Sequence, residues 1–317
     1  MISRIKESEK ISEEVIKRTI RDYRLAMKEI EKEIEGLYNK IPTELLTKAE
    51  TKEFYTLLKS KSRDNIYLER LLNHYGGVKA RITRLEALQL NVYSKVKDLA
   101  NLDRTRLDDH LKEVLSNAYN KDIYLAQKRT GLNFSFGQLS NTKLQALLKE
   151  RWSGRNYSAR IWTNTDTLAD KLQTTITKGF LTGKSSQVLA REIRQDFKVG
   201  TYNATRLIRT ETNYFTNQGE FLAYEEMGVD YYTYIATLDN RTSDICGELD
   251  GKRFKLKEAE AGVNYPPMHP NCRSTTIADD LPLSKLERRA KDKDGNTIKV
   301  PATMSYKEWG EMILESN

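Results

Sequence analysis

The chain has 317 residues, 38% of them apolar and 31% charged, with a formal net charge of +8. It is long enough for two domains and too rich in Leu, Ile and Tyr to be disordered throughout. Two cysteines cannot build a disulfide framework, and no apolar run approaches the roughly 18 residues of a membrane span.

The N-terminus, MISRIKESEKISEE, has no apolar stretch of the secretory type, so the expectation is a reduced, intracellular chain. Charge is uneven along it. Residues 51–200 carry 27 basic and 15 acidic side chains, whereas residues 201–250 carry three basic and nine acidic. A basic middle third suits non-specific contact with a polyanion such as double-stranded DNA, although helical Lys and Arg often do no more than solvate a surface.

Only Pro42 precedes position 265, so long helices can run unbroken. Ile16, Ile20, Tyr23, Met27, Ile30, Ile34 and Leu37 are spaced alternately by four and three, an apolar stripe that ends at Asn39 and Pro42. It packs either on helices of the same chain or on a partner subunit. A second helix is expected from Thr43 to about Lys61, with Leu45, Leu46, Phe54, Leu57 and Leu58 inward. Gly76-Gly77 breaks the chain. A long helical pattern follows from Ile82 to Leu115, with a weak point at Asn101.

Thr130 to Ser140 reads as a loop, and Leu144 to Phe197 as a helical run punctuated by Gly154, Gly179 and Gly183. A break at Lys198-Val199-Gly200 precedes a helix from about Tyr202 to Met227, stopped by Gly228. The run YYTYIATLD is strand-like, and Asp250-Gly251 looks like a turn into a second short strand. The tail ends in a short helix holding Tyr306, Trp309 and Met312. The expected fold is mainly α: elongated helical N-terminal and middle regions with a small α+β C-terminal module. The expected divisions are 1–140, 141–280 and a charged tail, 281–317.

Cys246, His269 and Cys272 are the only Cys and His residues beyond position 110. Thiolates and an imidazole suit Zn²⁺, with Asp244 or water as a fourth ligand. The same trio also fits plain packing and hydrogen bonding, or a Cys-His nucleophile pair. A zinc deaminase is excluded: two residues after His269 stands Asn271 rather than Glu, and no Cys-x-x-Cys exists. His74 and His110 lie on charged helices and are assigned no role.

The segments TLDNRTSDICGELDGKRF, from Thr237 to Phe254, and YPPMHPNCRST, from Tyr265 to Thr275, resemble the phage head morphogenesis family. These are the Mu F-like minor head proteins of tailed bacteriophages. RLIRTETNYFTNQGEFLAYEEMG places Arg209, Thr210 and Glu211 at the family's Arg-Thr-Glu, so the likeness covers about residues 150–280.

The resemblance implies a non-enzymatic virion component of the phage head interior, assembled in the bacterial cytoplasm. It would act at few copies near the portal vertex, in procapsid assembly and in DNA packaging or delivery. Its implied partners are the portal, scaffold or major capsid protein and DNA, with no membrane. Within the signature, Pro266, Pro267 and Pro270 would stiffen a loop. His269, Cys272 and Arg273 would fold back onto Cys246 and the Asp239–Arg241 turn. Arg273 would grip Asp239, Asp244 or Asp250 as a fork, with Asp250-Gly251 as the turn.

The alternative is an enzyme with an ADP-ribosyltransferase-like or metal-dependent C-terminal domain. Arg209, Glu211, Thr242 and Ser243 would then be remnants of a nucleotide site. No Gly-rich phosphate loop and no suitably placed Glu-x-Glu supports it.

Overall fold

The computed structural model describes residues 2–61, 83–130, 137–279 and 287–315. The expected Gly76-Gly77 break and most of the expected 130–140 loop lie outside these residues. The chain divides into two compact units, one of Met1–Ile16, Arg106–Tyr157 and Arg206–Asn317, the other of Lys17–Thr105 and Ser158–Thr205.

Eight α-helices and five strands occur among the described residues. The helices are α1 (Ile2–Tyr38), α2 (Lys48–Lys61), α3 (Arg84–Thr130), α4 (Asn141–Leu148), α5 (Tyr157–Leu181), α6 (Ser186–Glu226), α7 (Asp244–Leu249) and α8 (Tyr306–Glu315). The strands are β1 (Tyr231–Ile235), β2 (Arg253–Lys255), β3 (Thr275–Ala278), β4 (Glu287–Lys291) and β5 (Thr297–Pro301). The fold is mainly α with a small antiparallel β module near the C-terminus.

In the unit of residues 17–105 and 158–205, the stripe of α1 meets its partners within the chain. Tyr23, Ile30, Ile34 and Leu37 form one core with Val92, Val96 and Leu99 of α3, Leu168, Leu172 and Ile176 of α5, and Leu189, Ile193 and Phe197 of α6. Removing that apolar area from water is what holds four otherwise polar helices together. Thr19 and Tyr23 both donate to Asp103 inside this unit, at 3.0 and 3.1 Å.

The weak point at Asn101 does not interrupt its helix, α3, and the expected break at Lys198-Val199-Gly200 is absent, since α6 continues straight through Gly200. Gly200 marks close packing instead: a Cβ there would stand 2.8 Å from a methyl of Leu168. The second helix begins at Lys48, five residues later than expected. Thr47 caps it, accepting from Glu50 N at 3.2 Å while the Glu50 carboxylate accepts from Thr47 N at 2.9 Å. Phe54 is buried, but Leu45 and Leu57 are exposed.

In the unit containing the C-terminal region, β1 is the central strand of a three-stranded sheet ordered β2-β1-β3. Tyr231 pairs with Lys255 on one side and Tyr232 with Ala278 on the other. α6 ends at Glu226, and Gly228, with a φ of 66°, together with the bond from Val229 N to Tyr224 O makes the helix-terminating turn that follows. The tail is more structured than a charged extension with one helix. β4 and β5 form a hairpin that packs Ala290 and Val300 with Leu238 and Trp309.

Candidate functional site

The site is built on the return from the central strand. β1 carries buried Tyr234 to its end, and the chain then turns at Asp239 to Thr242. Ser243 caps the short α7 by accepting from Cys246 N at 3.4 Å, which sets Cys246 in the first turn. The second contribution comes from the proline loop. Tyr265, Pro266 and Pro267 are buried, with a cis bond between the two prolines. A turn closed by Cys272 N to His269 O at 3.1 Å then leads through Arg273 into β3.

These two segments place Cys246, His269 and Cys272 together, with one donor atom of each within 4.8 Å of the others. Cys246 Sγ lies 3.3 Å from His269 Nε2 and 3.7 Å from Cys272 Sγ. His269 Nδ1 is 2.9 Å from the carbonyl oxygen of Pro270. A carbonyl can only accept, so Nδ1 carries the proton and Nε2 presents its lone pair toward the sulfurs. Ser243 Oγ, 2.8 Å away, donates to that lone pair, and Tyr234 donates its hydroxyl to Cys246 Sγ at 3.3 Å.

Both sulfurs are buried beside Tyr234 and Ala236. The two thiols influence each other. The Cys272 thiol, hydrogen-bonding to Cys246, lowers the Cys246 pKa against the effect of burial, with help from Ser243 and Tyr234. The same contact, and burial, raise the Cys272 pKa. Asp244 is exposed and lies outside the group of three.

Beside the sulfurs, Arg273 grips Asp239 as a fork, Nη1 to Oδ2 at 2.5 Å and Nη2 to Oδ1 at 2.6 Å. Asp239 Oδ1 also accepts from Arg241 N at 3.0 Å. Burial raises the Asp239 pKa, but the hydrogen bonds from Arg273 outweigh it and hold the carboxyl below its usual range. Arg273 thus chooses Asp239 from the three carboxylates considered.

Asp250 is taken by a residue that the sequence reading does not single out, Arg288 of β4, at 3.1 Å through each of its two terminal nitrogens. Asp250 also accepts from Ala236 N at 2.8 Å and Tyr306 N at 2.7 Å, so one carboxylate joins β1, the hairpin and α8. Gly251, at φ 76°, makes the expected turn that follows it. A readable sign of the hairpin exists: the alternation in ERRAK and TIKVP around Asp294-Gly295.

The Arg-Thr-Glu of α6 is divided among three tasks. Thr210 Oγ1 accepts from Asn271 N at 3.0 Å and so anchors the proline loop. Glu211 accepts from the indole of Trp152 at 3.1 Å. Arg209 is exposed and lines a cavity of about 540 Å³ with Thr212, Asn213, Arg241 and Arg273. Thr242 donates to the carbonyl of Thr237. His110, on α3, is buried, with Nε2 2.8 Å from Thr212 Oγ1, and burial lowers its pKa to about 4.

Residues 170–277 match the family model of Phage Mu protein F like protein. This stretch of the chain is similar to the Mu F-like proteins. The match runs from α5 to β3 and so takes in Arg209, the Asp239 turn and all three donors of the Cys-His-Cys cluster. The chain is 25% identical over 246 residues, 72% of its length, to NAD(+)--arginine ADP-ribosyltransferase EFV of Enterococcus faecalis, and covers 50% of that protein. It is 26% identical over 108 residues, 34% of its length, to an uncharacterized protein of Haemophilus influenzae, and covers 24% of it. The chain therefore spans half or less of these relatives. No solved structure matches it. Among the described residues no helix is long and apolar enough to cross a membrane.

Proposed function

We propose that the chain is a minor head protein of a tailed bacteriophage, acting near the portal vertex in head assembly and in DNA packaging or delivery. The observation that carries this reading is the Mu F-like match over residues 170–277, which contains the whole Cys-His-Cys and Asp239–Arg273 arrangement. Those residues serve to fasten one another, as suits an assembly module.

Charge supports a role beside DNA. Lys171 and Lys178 lie two turns apart on α5, as do Arg191 and Lys198 on α6, and all four are exposed. Side chains seven residues apart fall on one side of a helix, where they can meet successive phosphates. Docking partners in the reading are the portal, scaffold or major capsid protein, with assembly in the host cytoplasm.

Deleting the gene from the encoding phage tests the function. The expected result is heads that assemble aberrantly or fail to deliver DNA, restored by the gene in trans. Normal yields of infectious particles would contradict it.

A second reading, transfer of ADP-ribose, is favoured by the name of the E. faecalis relative. The chain spans half of that protein, so the named activity can reside in the other half. Glu211 is occupied by Trp152 and Ser243 by His269, which leaves Arg209 to line the cavity without them. Incubation with labelled NAD⁺ and arginine separates the readings: the head-protein reading expects no labelled product.

A further inference from the structure

We propose that Cys246, His269 and Cys272 hold one Zn²⁺ ion, with the fourth position taken by water and Asp244 outside the coordination sphere. This goes beyond the assembly role and does not depend on it.

Three independent features converge. The first is edge length. In a tetrahedral site with Zn–S near 2.3 Å and Zn–N near 2.0 Å, two sulfurs stand about 3.7–3.8 Å apart and sulfur to nitrogen about 3.5 Å. Two of the three edges are already of this size, 3.7 Å between the sulfurs and 3.3 Å from Cys246 Sγ to His269 Nε2, and all three donor atoms lie within 4.8 Å of one another, so the His269–Cys272 edge sets how far the ligands must close on the ion. A disulfide would need about 2.05 Å between the sulfurs.

The second feature is the histidine's orientation. A metal-bound imidazole nearly always donates its other N–H to a carbonyl or carboxylate, which fixes the tautomer. His269 Nδ1 does this with the Pro270 carbonyl at 2.9 Å, and so leaves Nε2 as the ligand atom.

The third is support for thiolate. Tyr234 donates to Cys246 Sγ, and both sulfurs are enclosed by Tyr234, Ala236, Leu249, Phe254 and Met268. Hydrogen bonding and a dry surround steady a metal-bound thiolate. Binding releases the two thiol protons to solvent, and no oxidant or reductant takes part. Two thiolates and one imidazole favour zinc over the harder Mg²⁺ and Ca²⁺.

The ion would join α7 to the proline loop across 26 residues of chain, close to the Asp239–Arg273 fork. It would fasten these two segments to each other. Ser243, which now donates to Nε2, would turn its hydroxyl to the water in the fourth position.

The test uses the full chain purified from zinc-supplemented medium without chelator. Elemental analysis should find about one zinc per chain. His269→Gln, which alters one ligand without touching a thiol, should lower that content about tenfold while circular dichroism stays helical. Cys246→Ser and Cys272→Ser should do the same. Since a cysteine variant can misfold, the metal-stripped wild type is also titrated with Co²⁺. A one-to-one end point with tetrahedral visible bands and a thiolate charge-transfer band is expected. Dipicolinate should raise protease cleavage between residues 237 and 275. Zinc below about 0.2 per chain with no tetrahedral cobalt spectrum would overturn the proposal. Full zinc content in His269→Gln, or freshly purified wild type with both thiols oxidised, would overturn it equally.

Discussion

Arg273 and Asp239 show how much one residue pair can carry. The Asp239 side chain is 5% exposed and receives both arms of the guanidinium. Arg273→Ala would leave that carboxylate buried without its fork, at a cost of roughly 3 kcal/mol in chemical denaturation. Arg273→Lys should recover little, since a single ammonium cannot reproduce two parallel bonds. Protonating Asp239 weakens the same link. Its lowered pKa means this share of stability is whole above about pH 4 and is lost as the pH falls further.

His110 adds a distinct acid sensitivity. Its pKa falls from about 6.5 unfolded to about 4 folded, so between those values the unfolded chain binds more protons. Stability is therefore full above pH ~6.5 and declines toward pH 4, by an order of 3 kcal/mol for this group. A His110→Asn variant should be flatter across that window in pH-dependent urea melts. An unchanged slope would refute the assignment.

At this scale the Cys-His-Cys set is legible because such residues are scarce in the chain, which draws attention to any cluster of them. The partner of Asp250 is not legible. Arg288 lies 38 positions away, and nothing local distinguishes it from Arg289 until the strand's alternation puts one inside and the other out.

Among the elements, the helices are legible wherever an apolar stripe repeats, as in α1, because a helix must bury one side to be stable. Their ends are less so. The capping pairs Thr47 with Glu50, Thr83 with Glu86 and Ser305 with Glu308 set three starts. They are read only when the Ser/Thr-x-x-Glu spacing outweighs a nearby proline. Glycine misleads because one residue type serves two ends. Gly228 stops a helix, whereas Gly200 lets Leu168 come close to one.

A substitution series separates these uses. Gly36 is exposed on α1 with nothing within 4 Å of a new Cβ, so Gly36→Ala should stabilise by about 0.5–1 kcal/mol. At Gly219 a Cβ would stand 2.5 Å from the carbonyl oxygen of Leu115, a backbone atom of α3 in the same unit. Gly219→Ala should cost about 1–3 kcal/mol despite alanine's better helix propensity. Gly200→Ala should fall between, because the tip of Leu168 can rotate away. Thermal melts that fail to show this order would contradict the packing account.

For the whole molecule, the balance of charge decides what can be tested. If α5 and α6 track phosphates, binding to random duplex DNA should weaken steeply with salt. Replacing Lys171, Lys178, Arg191 and Lys198 together by Gln should reduce the slope of log K against log salt by about three to four. An unchanged slope would remove these four residues from the interface. The basic middle third is visible in composition, but composition does not say which cations are engaged. Lys95 binds Glu29, Lys97 binds Asp166 and Lys184 binds Glu192 within their own unit.

The role in the head is tested most directly by quantitative mass spectrometry of purified phage particles. The account predicts this chain in DNA-filled heads at a few copies each, in fixed ratio to the portal protein. Its absence from purified heads, with the chain recovered only in the cleared lysate, would contradict it.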